Sequence, residues 1–219
     1  MPTRSRGTHR KSLRLADYDY AQVGAYFVTI VIDQRRCLFG TVADEKLLLN
    51  TFGCMAQAAW AELPKHFPQC ELDAFVVMPN HIHGIVHIAV GAQHAAPLHD
   101  TGSSRPRVKA GSLGAIVRSF KSAVTKHYNE KCAAPGSVLW QRNYYEHVIR
   151  DEVSLQRIQE YITTNPARWS VDSENPYATS PEPADIWRNS HPAAVGAQHA
   201  APLQGDNRRG SIANAYFSK

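Results

Sequence analysis

Apolar residues fall along the chain in short blocks that predict strands. Residues 25–32, AYFVTIVI, are β-branched and aromatic and predict a buried strand. Residues 71–78 and 81–90 form two further apolar runs, joined by a Pro-Asn pair that is typical of a tight turn. These two runs are therefore predicted to be adjacent antiparallel strands. A shorter run, Leu47–Leu49, predicts a hairpin with the segment around Leu38 and Phe39.

Three other segments carry apolar residues at helical spacing. The first extends from Thr51 to Leu63 and ends near Pro64. The third begins near Asp151, a favourable N-cap, and ends at Pro166. Between the last two helices, residues 138–149 predict one or two strands. The second helix has an apolar stripe formed by Leu113, Val117, Phe120, Val124 and Tyr128.

The order of these elements predicts the fold class. Strand, helix, paired strands, helix, strand and helix follow one another, which favours an α+β fold of the ferredoxin-like kind, an antiparallel sheet with helices packed on one face. We expect a core domain over residues 15–170, interrupted by an insertion loop at about 91–110 that is rich in small and polar residues. Residues 1–14 are predicted to be a basic flexible arm, and residues 171–219 a weakly structured tail.

Composition narrows the function classes only a little. Hydrophobic residues make up 43% of the chain and charged residues 20%, which is typical of a globular protein. The net charge of +5 suits a polyanionic partner without requiring one. Neither a membrane-spanning run nor an apolar signal-peptide core is present, so a cytoplasmic location is expected. The four cysteines form no CxxC pair, so we expect buried thiols rather than disulfides or a zinc cluster.

Two histidines are the first candidates for chemistry. His81 and His83 stand two residues apart on a predicted strand, so their side chains leave the same face of the sheet. Two adjacent imidazoles can chelate one divalent ion, and His87 shares their face. On sequence alone, however, such a pair is more often two hydrogen-bonded histidines. Both interpretations stay open at this point.

The third predicted helix supplies possible partners for the histidines. Tyr161 and Asn165 are spaced i, i+4 and project from one face, beside the apolar arc of Leu155, Ile158 and Ile162. Because that arc would pack on the sheet, the two polar residues would lie at its margin. A tyrosine at the edge of the core and an asparagine that ends a helix before proline are the simpler interpretation.

Taken together, these motifs resemble a known family. The segments PNHIHGIVHI (79–88) and WQRNYYEHVIRDEVSLQRIQEYITTNPARW (140–169) resemble the single-tyrosine transposases of the insertion-sequence 200/605 superfamily, named HUH after their histidine–hydrophobe–histidine pair. The resemblance is closest to the REP-associated branch, which has Tyr-x-x-x-Asn where other members have Tyr-x-x-x-Gln. The segment SLRLADYDYAQVGAYFVTIVIDQRRCLFG (12–40) resembles this branch too, so the similarity covers roughly residues 10–170.

The resemblance implies an activity and a set of site residues. His81, His83 and Asn165 match the metal ligands, and Tyr161 matches the nucleophile. The implied reaction is cleavage and rejoining of single-stranded DNA through a 5′-phosphotyrosine, with Mg²⁺ or Mn²⁺, at hairpin-forming repetitive palindromic elements of a bacterial genome. The partner would be single-stranded or hairpin DNA, and a homodimer is left open. Two alternatives are a hairpin-binding protein that has lost transposition and a metal-dependent phosphohydrolase that uses the histidines alone.

Further side chains are candidates for contact with DNA. Arg118, Lys121 and Arg142 are plausible phosphate contacts, although scattered surface cations are usually only solvated. Tyr144 and Tyr145 compete with Tyr161 as nucleophiles but lack the Asn partner. Packing in the sheet, or stacking on unpaired bases, is the alternative role for them.

One decapeptide, AVGAQHAAPL, occurs twice, at residues 89–98 and 194–203. Its codons can be chosen as GTA GGG GCG CAG CAT GCT GCG CCC CTA for VGAQHAAPL, which is its own reverse complement from the second nucleotide onward. We hypothesise that both copies are translated fragments of a mobile palindrome. Reading the gene tests this, because two unrelated codon choices would leave only an ordinary duplicated segment.

Overall fold

The computed structural model describes residues 18–89, 108–133 and 136–188. The predicted basic arm, most of the insertion loop and the end of the predicted tail lie outside these residues, as do both decapeptide copies apart from Ala89. The strands are β1 (Gly24–Val31), β2 (Gly40–Ala43), β3 (Lys46–Leu49), β4 (Cys70–Val77), β5 (His81–Ile88) and β6 (Tyr145–Ile149). The α-helices are α1 (Thr51–Ala61), α2 (Leu63–His66), α3 (Leu113–Cys132) and α4 (Glu152–Thr164).

Four strands form one antiparallel sheet in the order β4-β5-β1-β6. Helix α1 follows β1 and helix α3 follows β5, so the chain runs strand–helix–strand–strand–helix–strand. This connectivity and strand order are those of the ferredoxin-like fold, and the predicted fold class is confirmed. The hairpin β2–β3 forms a separate two-stranded sheet, in which the partner of Leu47–Leu49 is Gly40–Ala43 rather than Leu38 and Phe39.

The first face of the sheet is covered by α1 and α3, as predicted. Tyr26, Val28 and Ile30 of β1 point to this side and share a buried cluster with Trp60 of α1 and Phe120 of α3. The apolar stripe of α3 lies in this core, and its polar side faces solvent. These contacts leave the other face of the sheet to a different element.

Helix α4 covers that opposite face, which corrects the prediction that all helices pack on one face. Phe27 of β1 and Ile85 of β5 form a second cluster with Ile158 and Ile162 of α4. The physical reason lies in β1, where all eight residues are buried. A strand with apolar side chains on both faces needs a cover on both, whereas an alternating strand needs only one.

The segment after α4, which includes the start of the tail predicted from residue 171, is also packed on the domain as far as the structure describes it. A 3₁₀ helix (Pro166–Val171) continues from α4, and Asp172 and Glu174 beyond it are buried. The Asn80 amide donates to the Glu174 carbonyl oxygen at 2.7 Å. Trp187 is 5% exposed and belongs to the α4 cluster. The packed domain therefore reaches residue 188.

The structure also describes the length and polarity of the helices and the state of the four cysteines. Within the described ranges, no helix is long and apolar enough to cross a membrane. All four cysteines are free thiols. Cys70 is buried, but Cys37, Cys54 and Cys132 are exposed, so the predicted burial is wrong for three of the four.

Candidate active site

The two histidines of β5 meet on the face of the sheet that α4 covers. Residues 81, 83 and 85 of a strand share one face, and Ile85 is in the α4 cluster. The Nε2 atoms of His81 and His83 are 3.0 Å apart, and both side chains are buried. The two predicted histidines therefore lie next to each other on a central strand, shielded from solvent.

Asn80 fixes the orientation of His81. Its amide nitrogen donates to the carbonyl oxygens of Arg35 and Glu174, at 3.1 and 2.7 Å. Its side-chain oxygen must therefore accept the 2.8 Å hydrogen bond from His81 Nδ1. The proton of neutral His81 lies on Nδ1, and the lone pair of Nε2 points toward His83.

Thr29 fixes the orientation of His83 in the same way. It lies on the neighbouring strand β1 in direct register with His83. Its hydroxyl forms a 2.8 Å hydrogen bond with His83 Nδ1. A histidine that ligates a metal usually engages its other ring nitrogen in this way, which sets the ring orientation and the tautomer.

Burial keeps both histidines neutral. Desolvation lowers the pKa of each to about 3, the Arg35 charge acts in the same direction on His81, and His81 does so on His83. Neutral imidazoles are the form that binds a metal ion. Two ligand atoms at right angles and about 2.1 Å from one ion would be about 3 Å apart, so the observed 3.0 Å separation fits a shared ion.

Tyr161 on α4 completes the predicted constellation. Its hydroxyl oxygen lies 3.3 Å from His83 Nε2, and its side chain is 9% exposed. Burial and then the Asp172 carboxylate raise the pKa of Tyr161, while Arg168 and Asn165 lower it. The hydroxyl is thus protonated at neutral pH, and the Arg168 charge and the Asn165 hydrogen bond are the contacts that favour its anion.

Asn165 lies one turn beyond Tyr161, at the C-terminal end of α4. It is 1% exposed, and its side-chain oxygen has no hydrogen-bond partner within the part of the chain that is described. A buried acceptor without a partner is unfavourable by about 1 to 3 kcal/mol. An amide oxygen that coordinates a cation would remove this penalty, which fits the predicted ligand role.

Asp172 is a candidate ligand that the sequence prediction missed. One carboxylate oxygen lies 3.8 Å from His81 Nε2, and the ligand atoms of His81, His83 and Asp172 lie within 4.8 Å of one another. It was assigned to the tail, and a lone aspartate outside any element gives no local signal. Two imidazoles with a carboxylate form a donor set that suits a divalent cation.

The predicted DNA-contacting cations lie apart from this cluster. Arg118 and Lys121 are on α3, which packs on the other face of the sheet. The Lys121 ammonium donates to the carbonyl oxygens of Gln141 and Asn143 at 2.7 and 3.2 Å, and burial lowers its pKa to about 8. Lys121 thus ties the loop before β6 to α3. Arg118 and Arg142 are exposed, Arg118 in a shallow groove along α3 and Arg142 in that loop.

The two adjacent tyrosines of the β6 region separate onto opposite faces. Tyr144 packs against the cluster formed by α1 and α3, so it faces away from the histidines. Tyr145 packs against the α4 cluster, and its hydroxyl accepts a 2.9 Å hydrogen bond from Arg188. Tyr161 is therefore the tyrosine whose hydroxyl contacts the histidine pair.

Sequence comparisons find known proteins that are similar to this chain. No family model matches the chain. A Haemophilus influenzae protein described as "Uncharacterized protein" is 41% identical over 167 residues, which cover 75% of this chain and 92% of that protein. A second H. influenzae protein, named "Putative REP-associated tyrosine transposase", is 24% identical over 199 residues, 86% of this chain and 96% of that protein.

Among solved structures, a REP-associated tyrosine transposase bound to a REP hairpin is 22% identical, with a TM-score of 0.47 over 71% of this chain and 74% of that chain. A TM-score below 0.5 does not establish a common fold. The similarity to the second H. influenzae protein extends over most of both chains. By sequence, the chain is similar to a protein named a putative REP-associated tyrosine transposase.

Proposed function

We propose that this protein is a metal-dependent, single-tyrosine HUH endonuclease and transposase. It cleaves and rejoins single-stranded DNA at hairpin-forming repetitive palindromic elements. The observation that carries the proposal is the contact between the Tyr161 hydroxyl and His83 Nε2, at 3.3 Å, inside the buried His81–His83–Asp172 cluster. The name of the H. influenzae relative supports repetitive palindromic DNA as the substrate class.

Four side chains would hold a divalent ion. His81 and His83 contribute neutral imidazole nitrogens, Asn165 an amide oxygen and Asp172 a carboxylate oxygen. The mixture of nitrogen and oxygen donors suits Mn²⁺, and the oxygen donors extend this to Mg²⁺. When bound, the ion would withdraw charge from the scissile phosphate and orient it.

Tyr161 performs the covalent step. Its phenolate oxygen attacks phosphorus, the bond between phosphorus and the 3′ oxygen breaks, and a 5′-phosphotyrosine forms. The phenol proton leaves, and one proton is taken up by the departing 3′ oxygen, so no cofactor is consumed. Because a phosphodiester is exchanged for a phosphodiester, a free 3′-OH can reverse the reaction and join a different strand.

The experiment uses a hairpin oligonucleotide with single-stranded flanks, incubated with the protein and Mg²⁺ or Mn²⁺. With a 3′ label, denaturing electrophoresis should show a protein–DNA adduct, because the tyrosine retains the 5′ phosphate of the downstream fragment. With a 5′ label, the same reaction should release a shorter strand that ends in 3′-OH. Both products should disappear in Tyr161→Phe and persist in Tyr144→Phe, a matched change on the opposite face of the sheet.

The outcomes separate this function from its alternatives. Strand cleavage that survives Tyr161→Phe would identify a phosphohydrolase that needs only the histidines. Tight hairpin binding by the unmodified protein with no adduct under either metal would identify a binding protein. Either result would overturn the proposed strand-transfer activity.

A further inference from the structure

A second group of polar side chains lies on the α4 face at the end of the sheet. Arg188 donates hydrogen bonds to the Tyr145 hydroxyl at 2.9 Å and to His147 Nδ1 at 3.3 Å. Its guanidinium carbon lies 5.0 Å from the centre of the Trp187 ring, which also contacts the His147 ring at 4.6 Å. The guanidinium is thus held by two acceptors and an aromatic face.

This group and the proposed active site lie in one row across the sheet. Tyr145 pairs with Thr29 in β1, and Thr29 pairs with His83 in β5, so these three residues form one row across three strands. Strands are about 4.8 Å apart, which puts the Tyr145 backbone about 10 Å from that of His83. Phe27 separates the two groups, with ring centres 5.4 Å from His83 and 6.1 Å from Tyr145.

The hydrogen bonds leave donors available for an anion. Tyr145 accepts from Arg188, so its own hydroxyl hydrogen is not used in that bond. His147 accepts through Nδ1, which places its proton on Nε2, and burial followed by the charges of Arg188 and Arg150 lowers its pKa to about 4. The Arg188 side chain is 45% exposed.

Acidic groups near Arg188 do not neutralise it firmly. Asp185 lies 3.8 Å from Arg188 Nε, and both side chains are nearly half exposed. An exposed ion pair of this length contributes little stability and is screened by salt. Asp151 also acts on His147, opposed by Arg150. A phosphate could therefore replace Asp185 as the partner of the guanidinium.

We propose that Arg188 and the Tyr145 hydroxyl form a subsite for one backbone phosphate of the DNA strand that flanks the cleavage position. This inference rests on the proposed function. Stacked nucleotides rise 3.4 Å each along a strand, so about 10 Å places that phosphate within about three nucleotides of the bond that is cleaved. The subsite would set which phosphate lies against Tyr161.

The test measures DNA binding in the full-length Tyr161→Phe background, where no cleavage occurs. A fluorescent hairpin with a single-stranded flank is titrated at several salt concentrations. Arg188→Gln should weaken binding and reduce the slope of log K against log [salt] by about 0.7, the value for one phosphate contact on a single strand. Lys65→Gln removes an exposed, ion-paired charge on the other side of the sheet and should leave the slope unchanged.

Neutral methylphosphonates, introduced one at a time, locate the contact. At one position within about three nucleotides of the cleavage site, the substitution should weaken binding to the Arg188 protein but not to Arg188→Gln. Arg188→Lys should keep the slope of log K against log [salt]. Tyr145→Phe should weaken binding without changing that slope. Thermal unfolding verifies that each variant is folded.

An Arg188→Gln protein that binds with the affinity and slope of Lys65→Gln would overturn the subsite. So would a methylphosphonate effect that is the same in both proteins at every position. Adduct formation by the protein with Tyr161 intact is measured separately, so the subsite can fail while the proposed strand transfer stands. Conversely, the binding comparison keeps its meaning if no adduct forms.

Discussion

Individual residues outside the proposed ligand set orient the histidines. His81 is oriented by an asparagine whose own amide is anchored twice, and His83 by one threonine hydroxyl. Thr29 stands in the middle of an apolar strand, where a polar side chain is unexpected. Its hydrogen bond with His83 supplies the physical reason for its presence.

Thr29→Val tests this role with little change in volume. The valine cannot hydrogen-bond His83 Nδ1, so the ring loses its fixed orientation, and Mn²⁺ affinity should fall by about 10- to 100-fold. Isothermal titration calorimetry measures the affinity. Thr41→Val, the same change at an exposed position of β2, is the control. Equal affinities in the two variants would show that Thr29 does not support the site.

His147 should impose a pH dependence on folding. Its folded pKa of about 4 lies below the ordinary value of 6.5, so between these pH values the unfolded chain binds a proton that the folded chain does not. The free energy of unfolding should therefore fall as pH is lowered from 6.5 to 4. In His147→Phe this fall should be smaller by roughly 1 to 3 kcal/mol. Urea denaturation at each pH measures it, and His127→Phe, an exposed histidine of α3, should leave the fall unchanged.

At the scale of elements, strand β5 contacts the helices on both faces of the sheet. Its histidines face α4, while Gly84 between His83 and Ile85 faces α1. A Cβ atom at Gly84 would overlap the Trp60 ring. The glycine thus lets α1 approach the strand that carries the histidines.

Gly84→Ala should destabilise the protein by about 1 to 3 kcal/mol through overpacking. Trp60→Phe shortens the opposing ring. As a single variant it should lower the free energy of unfolding, but in the double variant it should relieve the overlap with the Cβ atom that Gly84→Ala introduces. The double variant should therefore lose less than the sum of the two single losses. Urea denaturation of the four proteins gives the coupling, and strictly additive losses would contradict the packing described here.

Local patterns predicted the elements well, whereas contacts between distant segments were missed. The alternation in His81–Ile88 and the i, i+4 spacing of Tyr161 and Asn165 are properties of single elements. The structure has a strand at the first segment and a helix whose C-cap is Asn165 at the second. Asp172 reaches His81 only because the chain after α4 turns back over the sheet, which no local pattern encodes. The role of Lys121 depends on carbonyl groups twenty residues away.

At the scale of the whole molecule, the proposed site joins three separate parts of the chain. Strand β5 provides the histidines, α4 provides Tyr161 and Asn165, and the segment beyond α4 provides Asp172. That last segment is fixed by the Glu174 carbonyl, bound by Asn80, and by an ion pair between Glu174 and Arg35 at 3.0 Å. A ligand shared by the three parts would therefore hold the domain together.

Divalent metal should accordingly stabilise the folded protein as a whole. At a free Mn²⁺ concentration of about 100 times Kd, the stabilisation is about 2.7 kcal/mol, visible as a rise in Tm. Asp172→Asn keeps the oxygen that accepts from the Glu174 amide but removes the charge beside His81. If Kd rises at least tenfold, about 1.4 kcal/mol of this stabilisation is lost at the same concentration. Asp44→Asn, an exposed turn residue with φ 48° that asparagine tolerates, should respond to Mn²⁺ like the unmodified protein. A full Mn²⁺ response in Asp172→Asn would exclude Asp172 as a ligand and leave His81, His83 and Asn165 as the metal site.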